Sequence, residues 1–286
     1  MVAKSAIFTS TKLLTMKNIY VLILFFLFHL TFGQNKQFLY EYTFIPDSTN
    51  RTDIRTEMMV LNVRKDRSEF YSFERYTIDS TMLDAVKKGL FAPAPDKETV
   101  NDRIVKYSNS NQIVYNTFLM WDKYKVKQDV QFDWKLTNEF AKILNYDVQK
   151  ATTEFGGRKW IAWFTKEVPI PDGPYKFKNL PGLILKIEDS RHNHIFELKG
   201  IKSGPEQFVY PNVGNYPEFE LNYSQFLKKL KNFRQNPTAD LASRIPDQRD
   251  SQGKLRTSAE IIRQINQQWL ERLAKDNNLI ELNLLK

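Results

Sequence analysis

The residues best suited to chemistry in this chain are two histidines, His192 and His194, beside the acidic pair Glu188-Asp189 in "EDSRHNH". On an extended strand, residues i and i+2 share a face, so both imidazoles can reach one metal ion with a neighbouring carboxylate as third ligand. They are the metal candidates on that ground. The segment also has the composition of a turn, where polar residues need no metal to account for them, and no metal site is expected. A Ser-His-Asp triad would draw on the same histidines, yet no G-x-S-x-G elbow accompanies them. Gly156-Gly157 and Gly173 fit neither a G-x-G-x-x-G turn nor a P-loop, and no cofactor is expected. Asp122, Asp133, Asp172 and Glu188 lie close in sequence to aromatic residues and are the candidates for paired-carboxylate hydrolysis. With 33 acids in the chain, such neighbours also arise by chance, and no residue is assigned a catalytic role.

Recognition is the other use for such residues. Arg158 follows the glycine pair and can pair with a buried acid or clamp an anion. The plainer expectation is an exposed ion pair, which contributes about 0–1 kcal/mol. Trp160 and Trp163, three apart on one strand, point to opposite faces, one toward the core and the other toward a ligand or partner. Arg158, Trp163, Asp172, Gly173, Pro174 and Tyr175 make up the expected ligand or partner surface.

The elements that must hold these residues are mostly strands. In "FLYEYTFI", Phe38, Tyr40, Tyr42 and Phe44 alternate with Leu39, Glu41, Thr43 and Ile45, which sets four aromatics on one face. Arg55–Val63 and 68–73 flank "RKDR" as a hairpin. "QIVYNTFLMW" is β-branched and aromatic, and "KYKVKQDV" turns Lys123, Lys125 and Lys127 to water and Tyr124 and Val126 inward. Gly156-Gly157 suits a two-residue turn of positive φ between strands. A second tight connection around "DSRHNH" links 183–188 to 194–198. Two short segments read as helices, 80–90 and 137–144, the latter from Phe140, Ile143 and Leu144 on one stripe. Leu180-Pro181-Gly182-Leu183 suits a type II turn that launches the buried run "LILKIE".

After Pro211 the composition changes. Phe226, Leu227, Leu230 and Phe233 stand at helical spacing, 238–256 is polar and reads as a mobile loop, and Thr257 with Glu260 has capping-box spacing. Ile261, Ile262, Ile265, Trp269 and Leu273 form the apolar stripe of the helix that follows. The expected fold is α+β: a mainly antiparallel sheet, twisted and open to a half-barrel form, with C-terminal amphipathic helices.

Ile19 to Phe28 are ten apolar or aromatic residues in a row, after Lys17 and before Thr31-Phe32-Gly33. A basic start, a short apolar run and a small residue describe a secretory signal, too short for the about 20 residues that cross a bilayer. Residues 1–33 are therefore expected to be a cleaved signal peptide, with 1–15 an upstream extension before the natural start at Met16. An antiparallel β domain over 34–210 and a helical extension over 211–286, packed on the sheet, complete the expected organisation. The destination is the periplasm or the outer membrane, or secretion, with no stable transmembrane span after cleavage. Removal of Lys4, Lys12 and Lys17 lowers the formal charge from +9 to +6, spread along the chain, so no nucleic-acid partner is expected. The absence of cysteine excludes disulfides, a thiol nucleophile and a lipidated cysteine anchor.

The run from 133 to 189 resembles the GLPGLI family of cell-envelope proteins of the Bacteroidota, also called Porph_ging. It does so through "DWKL", "ILNY", "KATTEFGGRKWIAWFTKEVPIPDGPYKF" and "LPGLILKIED". The resemblance implies a location and a fold class rather than a reaction, because the family's activity is not established. It sets Ala151, Gly157, Arg158, Trp163, Pro169, Gly173, Pro174 and the name motif Leu180, Pro181, Gly182, Leu183 and Ile184 at family positions, the last five with a structural role. Asn179 stands where the motif has its first glycine, and Asn145-Tyr146-Asp147-Val148 stands where many members carry Gly-Tyr-x-Cys.

Three functions follow as expectations. The first is a non-catalytic envelope protein binding an apolar ligand, a lipid or an acylated partner. The second is an interaction subunit, with an envelope protein partner, supporting an outer-membrane transporter. The third is a carboxylate-dependent hydrolase.

Overall fold

The computed structural model describes residues 35–90, 99–214, 216–241 and 243–286. The expected signal segment and the "FAPAPD" stretch lie outside them.

Alternation of aromatic and aliphatic residues builds the sheet. β1 (Lys36–Phe44), β2 (Arg55–Val63), β3 (Arg67–Ser72), β4 (Arg103–Tyr107), β5 (Gln112–Leu119) and β6 (Asp122–Asp129) form one antiparallel meander. β7 (Lys135–Ile143), β8 (Tyr146–Phe155), β9 (Arg158–Thr165), β10 (Leu183–Asp189) and β11 (His194–Ser203) form a second, which returns to pair β11 with β1. β12 (Glu218–Asn222) adds a parallel strand beside β6. The twelve strands form one open sheet with β12 and β7 at its edges, so it does not close into a barrel.

Period-two burial gives the sheet an inner and an outer face. Phe38, Tyr40 and Tyr42 of β1 point inward with Phe70, Ile104, Tyr115, Val126, Trp160 and Phe196. The Tyr42 and Phe196 rings stack at 4.1 Å between centroids, and Tyr40 Oη donates to the Ile184 carbonyl at 2.6 Å. A smaller outer cluster of Val60, Tyr71 and Phe208 sits under α1 (Phe73–Lys87) and the segment leading to β12. That helix starts seven residues earlier than the sequence suggests. Ser72 Oγ accepts from the Arg75 N–H at 3.0 Å and caps it, and Tyr76 packs against Tyr71 and Phe208.

The sequence reading of 137–144 as a helix is corrected: 137–143 lie in the edge strand β7, and Leu144 is in the turn after it. Its i, i+3, i+4 apolar spacing finds no face to bury, and Phe140 is 70% exposed. The polar stretch 238–256 holds local structure at its described residues. Leu241 and Ile245 are buried, and β13 (Gln248–Arg249) pairs with β14 (Leu255–Arg256).

The inner face is covered by three pieces. Segment 169–182 crosses it, held by Lys106 Nζ to the Gly173 carbonyl at 2.5 Å and Lys178 Nζ to the Ser110 carbonyl at 2.6 Å. The amphipathic helices α2 (Tyr223–Gln235) and α3 (Ser258–Ala274) contribute Phe226, Leu230, Phe233 and Leu273 to the same core. Both begin with a formed capping box, Asn222 with Gln225 and Thr257 with Glu260. The C-terminal stretch 275–286 then runs back across the sheet. Its Leu282 N–H reaches the Gly156 carbonyl at 2.6 Å, and its Asn278 Nδ2 reaches the Ile45 carbonyl at 2.7 Å.

Leu180-Pro181-Gly182 forms a tighter bend than the expected type II turn. Gly182 N–H donates to the Leu180 carbonyl at 2.7 Å, two residues back, while Leu183 N–H leaves the turn for the Val168 carbonyl at 3.0 Å. Gly182 has φ +146°, and a Cβ there would lie 1.9 Å from the Thr165 carbonyl oxygen. Glycine is required at this position both by the backbone angle and by the space.

Candidate functional site

Between the inner face and the two C-terminal helices lies a cavity of about 540 Å³. Tyr42, Met59, Phe70, Ile104, Tyr115 and Phe196 form its sheet wall. Phe226, Leu230, Phe233, Trp269 and Leu273 form its helical wall, and residues 278–281 with Leu284 close one end. Exposed Arg55, Asn101, Arg272 and Lys275 stand at its mouth. Each strand supplies alternate residues and each helix one stripe, so the lining follows directly from the two periodicities.

The lining also carries polar groups, among them Asp102, Thr117, His194, Asn278 and Glu281, and these are paired within the protein. Glu281 accepts from Tyr175 Oη at 2.6 Å, from Tyr223 Oη at 2.8 Å, and from Lys176 Nζ in a fully buried ion pair. Lys176 also donates to Gln128 Oε1 at 2.7 Å and lies 4.9 Å from the Tyr115 ring centroid. Asp102 accepts from Thr117 Oγ1 at 2.7 Å, and burial pushes its carboxyl up from the usual carboxylate range. Burial likewise raises the phenols of Tyr42, Tyr115 and Tyr175, which remain neutral hydroxyls.

His194 sits at the same wall. Its Nε2 faces the Asn278 carbonyl at 2.8 Å and its Nδ1 faces Tyr42 Oη at 2.8 Å. A carbonyl only accepts, so Nε2 carries the proton and Nδ1 accepts from the tyrosine. Burial, reinforced by the Arg158 charge, lowers its pKa to about 4. The two histidines do not share a face as the strand geometry suggested. His192 lies in the turn at φ +54°, its side chain 64% exposed and Nδ1 3.0 Å from Glu188 Oε2. Among the described residues no group of three His, Asp or Glu side chains is arranged to hold a metal.

Arg158 is buried, which corrects the expected exposed pair. Its guanidinium meets Asp189 Oδ2 at 3.1 Å, Asn278 Oδ1 at 2.7 Å and the Leu279 carbonyl at 2.7 Å, tying the C-terminal stretch to the sheet. Burial raises the Asp189 carboxyl, but the His194 and Asn193 hydrogen bonds and the Arg158 charge outweigh it and hold the pKa low. Gly173 and Pro174 are buried as well, so neither they nor Arg158 present a surface. Asp172 pairs with buried Lys106 at 2.5 Å. Tyr175 does line the cavity, and Trp163, half-buried, faces the opposite side of β9 from buried Trp160. Leu180, Leu183 and Ile184 are core residues, and Pro181 is exposed. Of the carboxylates near aromatics, Asp122 pairs with Arg244 at 2.8 Å, Glu188 with Lys186 at 3.2 Å, and Asp133 is exposed. They are spread over separate parts of the sheet rather than convergent.

Sequence reasoning missed Asp102, Lys176 and Glu281. Lys176 reads as the water-facing residue of an alternating "YKFK", and no pattern in "NNLIELNLLK" signals that Glu281 enters the core.

This is an open, mainly antiparallel sheet whose inner face bounds a largely apolar cavity under C-terminal helices. Residues 156–186 match the model of a family described as "Protein of unknown function (Porph_ging)", the family this sequence resembles. No curated protein matches the chain. Two solved structures, "Structure of PNGF-II in P21 space group" and "Structure of PNGF-II in C2 space group", align at 16% identity with TM-score 0.48. Each alignment covers 68% of this chain, which spans 32% of the length of either one.

Proposed function

We propose that this chain is an exported cell-envelope protein whose inner cavity holds an apolar ligand, a lipid or the acyl group of a partner, without chemical turnover. The observation that carries the reading is the cavity of about 540 Å³ walled by aromatic and aliphatic side chains. Ligand sites commonly fall between about 300 and 1,000 Å³ and join an apolar lining to a few fixed polar groups. Each methylene buried there contributes about 0.8 kcal/mol. The signal-like pattern of 16–33 supports export. Native mass spectrometry of the full chain purified from its own membranes tests this. A bound apolar species of defined mass is expected, and a ligand-free protein that also binds no apolar dye would defeat the proposal.

A second reading, an interaction subunit with an envelope protein partner, has its own support at the edge strand β7. Leu136 and Phe140 there are 50% and 70% exposed, on a strand with one side of its backbone ladder open, and Leu144 in the turn that follows is 53% exposed. Crosslinking through a photoreactive residue at Phe140 should yield one reproducible adduct in cells. A smear or no adduct would remove this reading.

A further inference from the structure

A second cavity, about 230 Å³, lies on the outer face between α1, strands β4 to β6 and segment 211–213. Four cations line it, Arg75, Arg103, Lys123 and Lys125, against two acids, Asp79 and Glu218. Three of the cations are matched. Arg75 meets Asp79 at 2.8 Å, Lys125 meets Glu218 at 2.6 Å, and Arg103 meets Glu69, behind the cavity wall, at 2.7 Å.

Lys123 is different. Its ammonium donates to Asn212 Oδ1 at 2.6 Å and to the Val213 carbonyl at 3.0 Å, both neutral oxygens. An ammonium has three N–H donors, so one remains after these two bonds. The Tyr216 and Phe118 rings stand 5.4 and 5.8 Å from Nζ, and burial lowers the Lys123 pKa. The Glu218 and Asp79 carboxylates also act on the Lys123 charge, but each is already paired, with Lys125 and Arg75. Lys123 is a partly desolvated cation bonded to neutral acceptors with a donor to spare. The volume suits one small acid and is less than half that of the inner cavity.

We propose that this outer cavity binds a small oxyanion, a carboxylate or a phosphate group, with Lys123 as its principal contact. The site adjoins the apolar cavity, with Asn101, Thr117 and Phe118 in both linings, but its contacts are its own and it does not rest on the function proposed for that cavity.

The test is a titration of the full chain, with 15N-labelled lysine side chains followed by NMR, using sodium phosphate in one arm and sodium acetate in the other. Chloride holds ionic strength constant. A saturable shift of the Lys123 resonance is expected in at least one arm. A response to phosphate alone assigns a phosphate ligand, to acetate alone a carboxylate, and to both the shared oxyanion chemistry. Lys123→Gln, scored by the thermal shift each anion produces, should weaken binding about tenfold or more. Asn212→Asp, at an exposed position, gives Lys123 an internal carboxylate and should abolish the response while the fold is kept. No saturable response in either arm, or binding unchanged in both variants, overturns the proposal.

Discussion

At the scale of single residues, backbone angle explains the family motif better than chemistry does. Asn179 stands where the motif has its first glycine, and it adopts φ +72° with its N–H bonded to the Pro171 carbonyl at 3.0 Å. Asparagine is among the few residues with a side chain that tolerate this region, so the chain departs from the motif while keeping its conformation. Gly182 has no such substitute. Gly182→Ala should cost about 2–4 kcal/mol in a chemical melt, whereas Asn179→Gly should stay within about 0.5 kcal/mol. Equal effects of the two would contradict the distinction. A pH dependence belongs at this scale too. His194 titrates near 4 when folded against 6.5 for the free side chain. Between those values the unfolded chain holds the extra proton. Stability is therefore complete above about pH 6.5 and declines as pH falls toward 4, by at most about 3 kcal/mol from this group. Denaturant melts at pH 7.5 and 4.5 should show the loss, and His194→Asn should shrink it; an undiminished loss would assign it to other groups.

At the scale of elements, what was legible in the sequence follows from periodicity. Five of the first six strands alternate strongly enough to be located within a few residues, whereas the short strand Arg103–Tyr107 is absent from the sequence reading. Both C-terminal helices announce themselves by their stripes, and the second also by its capping pair. Segment 137–144 misled because Phe140, Ile143 and Leu144 satisfy helical spacing by accident. An edge strand exposed on both faces carries no compensating alternation. The candidate site was legible only in part. Tyr175 and the Phe226–Phe233 stripe were marked in advance. The C-terminal stretch was not, because its place depends on long-range partners: Arg158 for its carbonyls, Lys176 for Glu281. Those ties make a strong prediction. Glu281→Ala leaves the buried Lys176 ammonium without its carboxylate, and should cost about 3–5 kcal/mol. A loss below about 1 kcal/mol would mean the C-terminal stretch is dispensable to the core.

At the scale of the molecule, two meanders joined through the β1–β11 pair present a wide aromatic face that no closed barrel seals. Segment 169–182, the two helices and the C-terminal stretch cover that face incompletely, and the remaining space is the apolar cavity. Its use as a binding site is the central claim, and filling it tests the claim most directly. Leu230 lines the cavity from α2, so Leu230→Trp puts a larger ring into the space a ligand would occupy. Binding of a neutral apolar fluorophore to the full-length protein and to this variant is the measurement, with thermal melts verifying that both fold. Saturable one-site binding by the wild type, reduced about tenfold or more in Leu230→Trp, is the expected result. Binding of equal strength in both, or none by a folded wild-type protein, would contradict it.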